Sequence, residues 1–254
     1  MNHSPPGEGE SAELRAARAR MVETQLVSRG IACPRVLAAM GTVPRHEFVA
    51  PRLVGEAYSD HALPIGHGVT ISQPYVVALM SECLAIEPGE RVLEIGAGSG
   101  YQSAVLAALG AEVFAIERIE ALVGPARARL EGLGYGSQVH LRVGDGSLGW
   151  PENAPYAAIL VAAAAPRIPQ ALVDELAPGG RLVIPVGTDA QELRLVRRRA
   201  SREGSTSVSR EASRRGDGGL SQESILPVRF VPLIGEGIGE GSGEGIGEGI
   251  GEDQ

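Results

Sequence analysis

The chain has 254 residues, 43% of them hydrophobic, enough for one α/β domain with extensions, and its formal net charge is −8. All 23 basic residues are arginine, so no lysine can form a Schiff base or act as a general base, and the acidic balance argues against a nucleic-acid partner. The two cysteines, Cys33 and Cys83, lack metal-ligand spacing, so no metal is expected, and the absence of an apolar leader or a membrane-length apolar run predicts a cytoplasmic chain without a membrane partner.

Residues 1–11 are rich in Pro, Gly, Glu and Ser and read as disordered. From 11 to 29 the pattern is helical, with Leu14, Met21, Val22 and Leu26 near one face and Gly30 as the stop. A second short helix is expected around Val36, Leu37 and Met40, then a loop-rich segment, 43–69, punctuated by Pro44, Pro51 and Pro64. A helix follows over 75–84, with Ser72 placed as its N-cap and Pro74 in its first turn.

Strand patterns at 91–95, 112–116, 139–143, 156–161 and 181–186 then alternate with helical patterns at 101–109, 120–133 and 169–176. This alternation predicts a mostly parallel central sheet with helices on both faces, preceded by an N-terminal helical extension. Two late strands, 193–199 and 225–231, are joined by a flexible Arg/Ser-rich insertion, 200–219. The tail, 235–254, repeats Gly-Glu-Gly-Ile with one variation, carries six acids and no base, and reads as disordered. The expected organisation is a single domain over 12–234. Within it, 12–90 forms a substrate-side region and 91–187 a nucleotide-binding core.

Three motifs carry the chemistry. Arg91-Val92-Leu93-Glu94-Ile95 runs into Gly96-Ala97-Gly98-Ser99-Gly100, a turn in which glycines let the backbone approach a ligand closely. Its G-x-G-x-G spacing differs from the G-x-G-x-x-G of a dinucleotide site and suits S-adenosylmethionine, which has no phosphate. Glu94 is placed to hold the cationic amino end of that cofactor through the loop backbone or a water. Glu117 ends the next strand and can accept from both ribose hydroxyls, and Asp145, between Gly144 and Gly146, can meet the adenine amine. In this order the three resemble the cofactor site of Rossmann-like class I methyltransferases.

The substrate side narrows the resemblance. Val43-Pro44-Arg45-His46-Glu47-Phe48-Val49, Leu63-Pro64-Ile65-Gly66, Thr70-Ile71-Ser72-Gln73-Pro74, Ala163-Ala164-Ala165-Pro166, Ile184-Pro185-Val186-Gly187 and Arg229-Phe230-Val231-Pro232-Leu233 are similar to the protein-L-isoaspartate (D-aspartate) O-methyltransferase family. Thr-Ile-Ser-Gln-Pro is the most specific of these. The resemblance implies S-adenosylmethionine as the cofactor, no metal, and methylation of the free α-carboxylate of L-isoaspartyl or D-aspartyl residues in damaged proteins by a monomeric enzyme. It also implies Ser72 as the active-site serine, Gln73, Glu94, Gly96, Gly98, Gly100, Glu117, Asp145 and Gly146 on the cofactor, and Thr70, Ile71, Ala164 and Val231 on the substrate. His46, His61 and His67 read as structural or loop residues, because a carboxylate acceptor needs no base. Ile234-Gly235 stands where a polar residue often follows Val-Pro-Leu, a departure that bears on closure of the C-terminus over the substrate. Action on another carboxylate or small molecule, and cofactor sensing without turnover, remain open at this point.

Overall fold

The protein is described by a computed structural model covering residues 10–200 and 219–238. Most of the N-terminal segment, of the Arg/Ser-rich insertion and of the Gly-Glu-Gly-Ile tail therefore lies outside the described residues. Strands β3 (Arg91–Ile95), β4 (Glu112–Glu117) and β6 (Tyr156–Val161) read as near-continuous apolar runs because they form the middle of the sheet and are covered on both faces. With β5 (Val139–Val143), β7 (Leu176–Val186), β8 (Gln191–Arg198) and β9 (Leu220–Val228) they make seven strands in the order β5-β4-β3-β6-β7-β8-β9. The first five are parallel, and β8 and β9 pair antiparallel. The chain winds outward from β3 through β4 to β5, then returns to lay β6 against the other side of β3. That reversal opens a crevice at the carboxyl ends of β3 and β6, where ligands bind in sheets of this kind.

Side chains alternate between two cores. Val92, Val113, Ala115 and Leu160 face one core, shared with α2 (Pro34–Thr42), α3 (Pro74–Leu84), α4 (Tyr101–Ala108) and α5 (Glu120–Gly132). Leu93, Ile95, Phe114, Ile159 and Ile184 face the other, which Leu172 of α6 (Gln170–Asp174) covers. Among the described residues no helix is long and apolar enough to cross a membrane. Cys33 and Cys83 are free and only partly buried.

Several elements differ from the sequence expectation. The N-terminal helix is α1 (Ala12–Met21), capped by Ser11 accepting from Leu14 N. Past Met21 it continues as a π turn, Val22–Leu26, and a 3-10 turn, Val27–Arg29, up to Gly30 at φ 91°. The Thr24 hydroxyl donates to the Arg20 carbonyl at 2.7 Å, the kind of back-bond that bends a helix. The expected loop 43–69 holds a hairpin, β1 (Leu63–Gly66) with β2 (Val69–Ile71). Its turn is His67-Gly68, both at positive φ as a tight two-residue hairpin requires. Strand β7 starts five residues earlier than expected, and so does β9, whose Ser221, Gln222, Glu223 and Ser224 are exposed at the sheet edge and give no apolar signal. The N-cap of α3 is Gln73, not Ser72, because Pro74 fills the first helical position.

Candidate active site

The loop after β3 turns on three left-handed glycines, Gly96 at φ 87°, Gly98 at 55° and Gly100 at 89°. A side chain is strained in this region, so the sequence spacing is a backbone requirement. Gly96 N and Ala97 N both donate to the Ile116 carbonyl, at 2.8 and 3.2 Å, which hangs the loop on β4. Gly98 N donates to Glu117 Oε2 and Ile119 N to Glu117 Oε1, each at 2.8 Å. One carboxylate therefore ties the glycine loop to the turn after β4. Glu117 does not pair with Arg118, and at 7% exposure it keeps acceptor capacity toward the cavity it lines.

That cavity, of about 320 Å³, is lined by Ser72, Gly96, Gly98, Glu117, Gly146 and Val231, together with Thr70 and Ile71 of the hairpin end. Gly146 is held there by close packing: a Cβ on it would come 2.3 Å from Ile95 Cγ2. A second cavity, of about 820 Å³, opens beside it and is lined by Gln73, Tyr75, Arg229 and Phe230. Thr70, Ser72, Ala162 and Val231 line both. The half-buried Ser72 thus stands where the two spaces meet, and among the described residues its hydroxyl has no hydrogen-bond partner.

Other residues expected at the cofactor lie off the first cavity wall. Gln73 turns to the second cavity, where its Nε2 donates to the carbonyl and the carboxylate of Asp60 at 3.0 and 2.8 Å. Gly100 caps α4 and faces Leu130 and Ala126 of α5, so its part is to close the turn. Glu94 sits behind the loop at 0% exposure, with Ser103 Oγ donating to its Oε2 at 2.5 Å and its Oε1 unpartnered. Burial pushes the Glu94 carboxyl up to about 8, against the Ser103 hydrogen bond and reinforced by the charge of Glu117. Asp145 accepts from Ser147 N at 2.9 Å and Ser147 Oγ at 2.6 Å on Oδ1, and from Glu236 N at 2.7 Å on Oδ2. Burial opposes its ionisation, but these hydrogen bonds outweigh it and hold the carboxyl below its ordinary range. Ala164 acts through its backbone, donating to Val231 O and accepting from Leu233 N.

The sequence reading missed Ser103, Ser147 and the 235–237 turn. Ser147 was open to detection: Asp-Gly-Ser is a turn signal in which the acid accepts from the residue two positions on. Of the three histidines near this region, His46 is buried with Nδ1 2.8 Å from the Tyr58 hydroxyl, His61 is exposed, and His67 lines the first cavity from the hairpin turn.

The residues present fit S-adenosylmethionine. The glycine loop leaves backbone open to a ligand, and Glu117 faces the cavity with acceptor capacity to spare. No group of three or more metal-ligating side chains occurs among the described residues. The family model for protein-L-isoaspartate(D-aspartate) O-methyltransferase matches residues 17–213. The protein-L-isoaspartate O-methyltransferase of Methylorubrum populi is 54% identical over 86% of this chain and 95% of its own length. That of Aeropyrum pernix is 49% identical over 91% of this chain and 84% of its own length. A solved protein-L-isoaspartate O-methyltransferase superposes with a TM-score of 0.72 at 27% identity, over 87% of this chain and 67% of its own. A Plasmodium falciparum structure in complex with S-adenosyl-L-homocysteine shares the fold, with a TM-score of 0.69 at 24% identity over 85% of this chain and 98% of its own. Extended matches at about half identity, on a sheet with this crevice and this glycine loop, place the chain in the protein-L-isoaspartate (D-aspartate) O-methyltransferase family.

Proposed function

We propose that this chain methylates the free α-carboxylate of L-isoaspartyl and D-aspartyl residues in damaged proteins, with Ser72 holding the carboxylate at the junction of the two cavities. The observation that carries the reading is that Ser72, Thr70 and Val231 belong to both walls. A methyl donor in the smaller space and a peptide in the larger one meet at that line. When bound, S-adenosylmethionine supplies a methyl group on a positively charged sulfur.

The chain's own task is then positional. A carboxylate with a reference pKa of about 4 is already ionised at neutral pH, so no base has to remove a proton. Ser72 Oγ donates to one carboxylate oxygen and leaves the other free to attack in line. Glu117 and the Gly96–Gly100 backbone fix the donor from the opposite side, and the apolar walls, Ile71 and Val231 among them, keep water from the reacting atoms. Gln73, Asp60 and Arg229 stand on the peptide side. We place the reaction in the cytoplasm, carried out by a monomer on protein substrates, a setting that suits two free thiols.

The decisive test is methyl transfer from labelled S-adenosylmethionine to matched isoaspartyl and aspartyl peptides. Label in the isoaspartyl peptide alone is expected, and equal labelling of the two would overturn the reading. Ser72→Ala should lower kcat/KM on the isoaspartyl peptide by about ten- to a hundredfold, one hydrogen bond to a charged group, while S-adenosylhomocysteine affinity stays put. Full retention of kcat/KM in that variant would remove Ser72 from the mechanism.

A further inference from the structure

The segment from Val231 to Ile238 crosses the mouth of the cofactor cavity and is fastened on both sides. On the β6 side, Ala164 N donates to Val231 O at 2.8 Å and Leu233 N donates to Ala164 O at 2.7 Å. On the β5 side, Glu236 N donates to Asp145 Oδ2 at 2.7 Å and Gly237 N to Ser147 Oγ at 2.9 Å. From the first fastening onward, Val231, Pro232, Leu233 and Ile234 line the cavity. Upstream, Arg229, Phe230 and Val231 line the peptide space. One continuous strap therefore walls both sites.

The far fastening is close-fitting. A Cβ on Gly235 would lie 2.0 Å from Asp145 Oδ1, and one on Gly237 would lie 2.5 Å from the Ser147 carbonyl oxygen. No side chain fits at either position, so the Gly-Glu-Gly-Ile unit at 235–238 docks because of its glycines. Ile238 closes the turn and is 9% exposed, which is why the first unit of the tail is ordered where its composition predicts disorder. The covered group is Asp145. Its neighbour Gly146 lines the cofactor cavity, but Asp145 does not, since the turn lies over the carboxylate.

We propose that the 235–238 turn is a latch that gives up Asp145 when the adenine amine of the cofactor takes it, and that the strap carries this exchange to the peptide space. The proposal rests on the reading of Asp145 as the adenine acceptor. Both partners offer N–H donors to the same carboxylate, and Oδ1 already accepts two bonds from Ser147. Oδ2 has one acceptor position left beside Glu236 N, but the turn packs against the carboxylate, so an amine that approaches in the carboxylate plane displaces the turn. Latch closure then lowers the apparent cofactor affinity by the fraction of time the latch is open. Release of the far end frees Ile234, already 54% exposed, and lets Val231 and Arg229 adjust to the peptide only once the donor is seated.

The test is amide hydrogen exchange on the full chain, with and without saturating S-adenosylhomocysteine. The Glu236 and Gly237 amides should be protected in the free chain and should exchange about three- to tenfold faster in the complex, as local opening predicts. Unchanged or increased protection would overturn the latch. Gly235→Val, which cannot dock, should bind S-adenosylhomocysteine about three- to tenfold tighter by removing the competitor, and weaker binding would count against it. Asp145→Ala made in the Gly235→Val chain, where no latch competes, separates the two ideas: unaltered affinity there would sink the adenine reading itself, whereas the exchange result alone sinks the latch.

Discussion

Replacing Glu117 by alanine should raise the dissociation constant for S-adenosylmethionine about a hundredfold or more. A carboxylate has about four acceptor positions, and two are taken by Gly98 N and Ile119 N. The remaining two face the cavity and can serve the ribose hydroxyls, each worth roughly 1.5–3 kcal/mol as a hydrogen bond to a charged group. Part of the loss is indirect. Without Glu117 the Gly98 amide has no acceptor, and the loop loses one of its ties to β4 just where φ is left-handed. Glu117→Gln keeps an acceptor oxygen and should lose less. Calorimetry with S-adenosylhomocysteine and each variant checks the order, and an affinity within about threefold of the parent for the alanine variant would refute the ribose role. At saturating cofactor the KM for an isoaspartyl peptide should barely change, because Glu117 lines only the cofactor cavity.

The second large effect is on stability. The Glu94 carboxyl, fully buried, is pushed up to about 8, against a reference near 4.3 in an unfolded chain. The folded state therefore binds this proton more tightly than the unfolded state. The resulting stability is complete below the unfolded pKa, declines as pH rises between the two values, and is gone above about 8. Across that window the slope is about 1.4 kcal/mol per pH unit, for a total on the order of a few kcal/mol. Glu94→Gln cannot ionise and should flatten the curve. Urea unfolding at pH 5.5, 7 and 8.5 should show the parent losing stability faster than the variant, and parallel profiles would mean that Glu94 is ionised throughout. Glu175, also raised by burial, contributes to both proteins and cancels in the comparison.

The parts of this fold that were legible in the sequence are those where one physical demand dominates. Strands β3, β4 and β6 are near-continuous apolar runs because two faces need covering, and the glycines of the loop are forced by left-handed φ. Edge and hairpin structure was hidden. The 221–224 stretch of β9 is polar because it faces solvent, and the β1–β2 hairpin is masked by Pro64 and Gly66, which read as loop. At the site, order along the chain located Glu117 and Ser72 because strand ends and helix starts point into the crevice. It could not give depth. Glu94 lies one layer too far in, and Gln73 turns toward Asp60. The tail was misread at its first unit for a different reason: composition averages over twenty residues, whereas docking needs only two glycines and one isoleucine at the right place.

The grip on Asp145 has a consequence for the ageing of the enzyme itself. Asp145-Gly146 is the kind of sequence that isomerises, because glycine leaves the following amide nitrogen unhindered for attack on the side-chain carboxyl. Ring closure would require the carboxyl to swing toward that nitrogen. Ser147 holds one oxygen through two hydrogen bonds and Glu236 holds the other, so the swing must break all three. Ser147→Ala removes the hydroxyl bond to Asp145 and the anchor for Gly237 N, and peptide mapping after prolonged warm storage should find more isoaspartate at Asp145 in this variant than in the parent. Equal amounts would show that the restraint lies elsewhere. A repair enzyme of this design keeps an aspartate of the isomerising Asp-Gly type fastened beside the site it uses on others.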